Sequence, residues 1–321
     1  MPELKEYGFA DSDGVKIEYG IYGDLEAEPL VLLPCNGNDM HNFDSNVLPE
    51  LAKHFKVIAI SPRGCGNSDR GEGKLTFEVE SNDLVNVLDF LGIEKAHIFG
   101  FSDGANLGYV FTVEHQERVL SLIAMSANIN MWGTKPSSEI GIIFSYIYLS
   151  IRAFITKDPA DALKRDIEGM MVGQPNLTYR DLEKISVPVF NIYGEHDMIR
   201  RVHSKLITKH SGARELMVKG GGHSSCFNYT DSILLPNILE NFFLLKTAAE
   251  EANSTATVVV FMPPAVDAGE PPISISMIII NRPVSLSFVR SAVLKPAVLG
   301  VTAWNRDRSS LSDGASENSP K

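Results

Sequence analysis

The chain has 321 residues, of which 44% are hydrophobic and 21% charged, a balance that supports a sizeable buried core. Its 29 Lys and Arg against 40 Asp and Glu leave a formal charge of -11, which opposes binding to nucleic-acid phosphates or anionic lipid. Three widely spaced cysteines, Cys35, Cys65 and Cys226, with no C-x-x-C pair, exclude a disulfide scaffold and give no zinc or redox motif. The opening MPELKEYGFADSDG has neither the basic nor the apolar segment of a secretion signal, and no uninterrupted apolar run reaches about 18 residues. The expected compartment is therefore the cytoplasm, with no membrane span.

Val15 to Tyr22 alternates polar and apolar residues as a half-exposed antiparallel strand would, whereas LVLL at 30–33 and VIAI at 57–60 are continuous and apolar, as in buried parallel strands. A weak helical pattern lies near 43–54. A stronger one follows in FEVESNDLVNVLDFLGI, where Val79, Leu84, Val87, Leu88 and Leu91 share a face. The alternation continues with AHIF at 96–99, a helix over about 103–115, VLSLIAM at 119–125, VPVFNIY at 187–193, a helix near 200–210, ELMV at 215–218 and a last helix near 229–246. This is the grammar of an α/β fold with a mostly parallel sheet and helices on both faces.

One interval breaks the rhythm. Residues 127–186 contain helical patterns and no strand, so they read as a helical lid inserted between two sheet strands. Trp132, the run IGIIFSYIYLSI at 140–151 with Phe144 and Tyr148, and Met170 beside Met171 suit a cover over an apolar pocket, and Trp132, Phe144, Tyr148 and Met170 are candidate substrate contacts. After Lys246 the composition changes: residues 247–321 hold seven of the 17 prolines and end in SSLSDGASENSPK. This stretch is expected to be a disordered appendage to a domain over 1–246. Its runs TVVVFM at 257–262, ISISMIII at 273–280 and VSLSFV at 284–289 have the composition of edge strands or sticky segments.

Gly100-Phe101-Ser102-Asp103-Gly104 follows the buried strand AHIF and precedes a helix, which is the setting G-x-S-x-G requires. A sharp strand-to-helix turn presents the Ser102 hydroxyl at the sheet edge, and the helix N-terminus behind it favours developing negative charge. A serine nucleophile needs a base. Among eight histidines (41, 54, 97, 115, 196, 203, 210 and 223), His223 alone sits in a loop, KGGGHSSC, directly after the last strand. An acid to orient it is expected between the two, where Tyr193-Gly194-Glu195-His196-Asp197 follows a strand. Asp197 is the choice, with Glu195 as competitor. Two backbone donors are needed to bind an oxyanion, and the N-H groups of Asp103 and of Asn36, in the turn Pro34-Cys35-Asn36-Gly37-Asn38-Asp39, are placed to supply them.

These motifs together resemble the serine-dependent α/β-hydrolase superfamily over roughly residues 4–246, in particular small bacterial-type hydrolases with esterase or C-C hydrolase character. Arg63-Gly64-Cys65-Gly66-Asn67-Ser68-Asp69 is similar to a mainly structural loop of those proteins. Two positions depart from the pattern: Pro34-Cys35 stands where His-Gly is common, which alters the oxyanion loop, and Cys65 where His often occurs. The resemblance implies the α/β-hydrolase fold and a serine hydrolase acting on a carboxylic ester or related acyl bond of a small apolar substrate. Thioester, amide and C-C bond cleavage use the same parts. No Gly-x-Gly-x-x-Gly, P-loop or metal-ligand cluster is present, so no cofactor and no metal are expected. The reading from another class is a ligand receptor or pseudoenzyme on the same fold. Oligomeric state is not legible.

Overall fold

The computed structural model describes residues 1–240, 258–261 and 277–280. Contacts divide the chain into two units, Met1–Leu245 and Lys246–Lys321. In the second, β9 (Val258–Phe261) pairs antiparallel with β10 (Met277–Ile280). Both strands fall within the β-prone runs noted above; the third run, 284–289, and the expected disorder of the tail lie outside the described residues.

The first unit is built on an eight-stranded sheet of β1 (Leu4–Ser12), β2 (Val15–Tyr22), β3 (Pro29–Leu33), β4 (Lys56–Ile60), β5 (Ala96–Phe101), β6 (Val119–Met125), β7 (Val189–Gly194) and β8 (Arg214–Val218). The spatial order is β1-β2-β4-β3-β5-β6-β7-β8. The pairs β1–β2 and β2–β4 are antiparallel, and every later pair is parallel. β1 has no counterpart in the sequence reading, because its solvent-facing residues dilute the apolar pattern: most of Leu4–Ser12 is exposed. The inner strands β3, β4, β5 and β7 are buried almost throughout, as their continuous apolar runs require of strands covered on both faces.

Helices cover both faces. Phe77, Leu84, Val87 and Leu88 of α2 (Phe77–Phe90) and Ala105 and Leu107 of α3 (Asp103–Glu114) join one core, together with Ile207 of α7 (Arg201–Ser211). On the opposite face, Leu48 and Leu51 of α1 (Leu48–Leu51) and Leu234, Leu235 and Ile238 join the second core. The helix expected over 43–54 contracts to the four residues of α1, because turns occupy 41–47 ahead of it. Thr76 caps α2 by accepting the Val79 N-H, and Gly212 ends α7 in the left-handed region. The last helix starts later than expected: Thr230–Leu234 forms a π turn, and residues 235–240 are α-helical.

The insertion between β6 and β7 is helical throughout its ordered elements: α4 (Pro136–Thr156), α5 (Pro159–Met170) and α6 (Tyr179–Leu182). α4 is long and apolar enough to cross a membrane by length and composition, yet it is tied to the domain at both ends. Thr134 bridges to Ile199 ahead of it, and beyond it Asp166 of α5 accepts hydrogen bonds from Arg70.

The sheet's direction of growth reverses where β3 lies between β4 and β5, and at such a switch point the loops after adjacent strands part to leave a crevice. The loop after β3 and the start of α3 meet there. A Cβ at Gly104 would overlap the backbone carbonyl of Leu33, and one at Gly100 would overlap the carbonyl of Gly104. Rigid backbone leaves no room for either. Gly104→Ala should therefore lower the unfolding free energy by about 3 kcal/mol in urea denaturation, the upper end of ordinary overpacking. Gly141→Ala, in open space on α4, should be neutral or slightly stabilising.

Candidate active site

Ser102 occupies the tip of the turn between β5 and α3 with φ 56° and ψ -118°, a backbone conformation disfavoured for any residue with a Cβ. The strain is held by bonds on both sides: the Ser102 N-H donates to the Met125 carbonyl at 2.9 Å, and its own carbonyl accepts from Ala105 and Asn106. The turn carries the hydroxyl out of the sheet toward the loop after β8. There His223 Nε2 lies 2.8 Å from Ser102 Oγ, and His223 Nδ1 lies 2.7 Å from Asp197 Oδ1. Phe101 packs against the imidazole, ring centroids 5.4 Å apart.

The acid and histidine loops are tied to one another. The His196 N-H donates to the Gly221 carbonyl at 2.7 Å and the Glu195 N-H to the Val218 carbonyl at 3.0 Å. Asp197 is buried, while the Glu195 carboxylate turns outward to accept the Gly220 N-H at 2.9 Å. Of the two candidate acids, Asp197 is the one against the imidazole. Burial pushes its carboxyl up, but the hydrogen bond and charge of His223 and bonds from Ser126 and Ile199 outweigh that and hold it below the ordinary carboxylate range. Ser126, at the end of β6, donates its hydroxyl to Asp197 Oδ2 at 2.6 Å. The sequence reading did not single it out. Its signal is positional, since it is the first residue beyond the strand lying between those that carry Ser102 and Asp197.

Asn36 and Asp103 also meet. The Asn36 side chain donates Nδ2-H bonds to Asp103 Oδ2 at 2.8 Å and to the Ile167 carbonyl of α5 at 2.9 Å, pinning the loop after β3 to the Ser102 turn and to the insertion. Asn106 donates to the other Asp103 oxygen at 3.0 Å. Because Asp103 is the first residue of α3, its backbone N-H is one of the helix donors without an intrahelical acceptor. Behind this pair is a cavity of about 20 Å³, room for a water molecule, lined by Cys35, Asn36, Glu80, Asp103, Ile167 and Met170 among others. Burial raises the Asp103 carboxyl to about 6, against the opposing bonds from Asn36 and Asn106, and raises Glu80 to about 8. Burial also lifts the thiols of Cys35 to about 11 and Cys65 to about 12, so both are protonated and unreactive at neutral pH.

Of the four residues expected to touch substrate, Met170 is buried and lines this cavity. The others are placed differently: Trp132, Phe144 and Tyr148 are 72%, 68% and 61% exposed and face solvent. α4 leans on α5 through its other side, where Tyr146 meets Gly169 and Arg152 pairs with Asp161, and this turns the aromatic stripe outward. Among the remaining histidines, His203 is buried and structural. It accepts the Ile129 N-H and bonds Tyr179, and burial lowers it to about 4, so it is neutral. The Arg63–Asp69 loop is likewise structural: Arg63 makes a two-pronged ion pair with Asp83, and the Ser68 hydroxyl accepts the Glu18 N-H of β2 and donates to the Ser61 carbonyl just after β4. Among the described residues, no group of three or more His, Cys, Asp or Glu side chains is arranged to hold a metal ion.

Residues 28–146 match the model of the alpha/beta hydrolase fold family. The 2-hydroxy-6-oxo-6-phenylhexa-2,4-dienoate hydrolase of a Rhodococcus strain superimposes with a TM-score of 0.61, covering 75% of this chain and 99% of that one at 19% identity. The chain has the α/β-hydrolase fold. The chain is also similar to the naproxen esterase of Bacillus subtilis, with a TM-score of 0.57, 20% identity, and coverage of 75% of this chain and 92% of that one. The serine hydrolase BPHL of Mus musculus is 22% identical over 240 residues, 68% of this chain and 80% of that protein. A 2-hydroxymuconate semialdehyde hydrolase of a Pseudomonas strain is 36% identical over 102 residues, 28% of this chain and 36% of that protein.

The buried acid behind the loop has a consequence for stability. A Glu80 carboxyl raised to about 8 keeps its proton in the folded state where the unfolded chain, near 4.5, has released it. The folded protein therefore loses stability as pH rises from about 4.5 to about 8, and the loss levels off above that. Glu80→Gln, neutral at every pH, should be more stable than wild type by a few kcal/mol at about pH 9, with the gap closing near pH 5 in urea denaturation.

Proposed function

We propose that this α/β-hydrolase is a serine hydrolase that cleaves a carboxylic ester or a related acyl bond of a small apolar substrate. The observation carrying the reading is the unbroken line of hydrogen bonds from Ser102 Oγ through the His223 imidazole to the buried Asp197 carboxylate, at 2.8 and 2.7 Å. His223 Nε2 accepts the Ser102 proton as the oxygen attacks the substrate carbonyl. Asp197 holds Nδ1-H toward itself and stabilises the imidazolium that forms. The backbone N-H groups of Asp103 and Asn36 donate to the developing oxyanion, in a loop that the Asn36 side chain fixes before substrate arrives. His223 then returns the proton to the leaving alcohol, and the acyl-Ser102 intermediate is hydrolysed by a water that His223 activates. Ile167 and Met170 give the adjoining space an apolar side. The names of the relatives, a serine hydrolase and an esterase among them, agree with this chemistry.

A fluorophosphonate probe on the purified full chain tests the nucleophile: labelling should map to Ser102 and disappear in Ser102→Ala and His223→Ala. An unlabelled but folded wild type would overturn the assignment in favour of a binding protein. With a p-nitrophenyl ester as substrate, Asp197→Asn should lower kcat/KM by about 10⁴-fold, since the imidazole loses its orienting carboxylate. Glu195→Gln should leave kcat/KM within about threefold of wild type, because that carboxylate faces away from the imidazole.

A further inference from the structure

α4 is the least buried of the long helices in the first unit, and its one fully buried residue is Ala153. Ile140, Phe144, Ile147, Ile151 and Phe154 follow one another at spacings of four, three, four and three residues, all are exposed, and they form one straight stripe along the helix. Tyr148 and Ile155 widen it on one side. Alternate spacing of three and four is the seam of helices packed side by side, in which each side chain enters a gap in the facing helix. The stripe holds no charged residue; the only two on the helix, Glu139 and Arg152, lie off it.

We propose that this stripe is a homodimer interface, in which α4 of one protomer packs along α4 of its partner. The area supports a second copy as occupant. The seven exposed side chains leave roughly 800 Å² of largely apolar surface in water, more than the 300–600 Å² of the largest patch on a typical monomer and about what one partner gives to a standard-sized interface. The stripe is self-complementary in kind, large branched and aromatic side chains throughout, as a two-fold interface must be. A lipid surface fits less well. Helices that lie in a bilayer interface carry Lys and Arg along the polar face, whereas α4 has a single Arg, and the chain as a whole is strongly acidic. Nor can α4 cross a bilayer, since the bridge at Thr134–Ile199 and the Arg70–Asp166 pair return both of its ends to the same domain.

The test is size-exclusion chromatography with light scattering on the full chain at about 100 μM, well above the Kd of an interface of this size. Wild type should run at twice the chain mass. The double variant Phe144→Glu/Ile151→Glu should run as a monomer with unchanged circular dichroism. Independently of that variant's folding, Ile147→Cys, at the centre of the stripe where the partner's equivalent residue lies opposite, should form a disulfide-linked dimer under mild oxidation, while wild type should not. A monomeric wild type overturns the proposal, and so does a dimer that persists in the folded double variant together with no cross-link at position 147. Monomers that bind phosphatidylcholine vesicles through the stripe would overturn it in favour of lipid.

Discussion

The site rests on a backbone contact between helix α3 and strand β3, with no side chain between them. Gly104 brings α3 against the carbonyl of Leu33, and Gly100 lets the strand preceding Ser102 pass beneath the same turn. A methyl group at either position would push the helix off the sheet. That approach sets two distances at once. It holds Ser102 in a conformation it would not choose, aimed at His223, and it brings the helix N-terminus beside the loop after β3. Asn36 then closes the gap by donating to Asp103 across the junction. The cost of the strained Ser102, on the order of 1–3 kcal/mol for such a conformation, is offset by the ladder of β5 and the packing of α3 around it.

Three acidic residues within this small region show how burial and partners divide one chemistry into opposite behaviours. Asp197 is buried yet held below the ordinary range, because a potential cation and two further donors surround it. Asp103 and Glu80 are driven upward by the same removal from water, and the amide donors at Asp103 are too weak to reverse it. The difference lies in the partner and not in the depth. A carboxylate beside an imidazole is a fixed charge, suited to stabilise a positive ring. One beside amides and thiols exchanges its proton with pH and links the fold's stability to it.

The residues that the structure brings together around Ser102 are those whose signals in the sequence are local. Glycines around a serine between a strand and a helix, an acidic residue after β7 and a histidine after β8 each leave a signature within about ten residues, and the alternation of apolar runs orders them. What escaped notice is non-local. Ser126 matters only because β6 lies between β5 and β7, and no spacing within VLSLIAM announces it. β1 is masked by its own exposure, and α1 shrinks because the chain before it turns repeatedly. Which of Asp197, the sequence choice, and Glu195, its competitor, lies against the imidazole depends on which carboxylate turns inward from a loop that both share.

The insertion shows the same limit in a sharper form. An apolar, aromatic helix following β6 reads as a cover whose side chains face a pocket, since burial is the ordinary fate of such residues. Amphipathic periodicity, however, reports that a helix has an apolar face without reporting what that face meets. In α4 the inward side is set by Tyr146 against Gly169 and by the Arg152–Asp161 pair, contacts made by modest residues that no hydrophobic pattern would select. Once these fix the helix on α5, the strongest apolar stripe is left pointing outward. Phe144 and Tyr148 then belong to a surface, and the water-sized cavity behind Asn36 and Asp103 is lined from α5 by Ile167 and Met170. The residues around Ser102 are marked by short motifs after the strands, whereas what an apolar helix presents to solvent depends on how it is rotated about its axis.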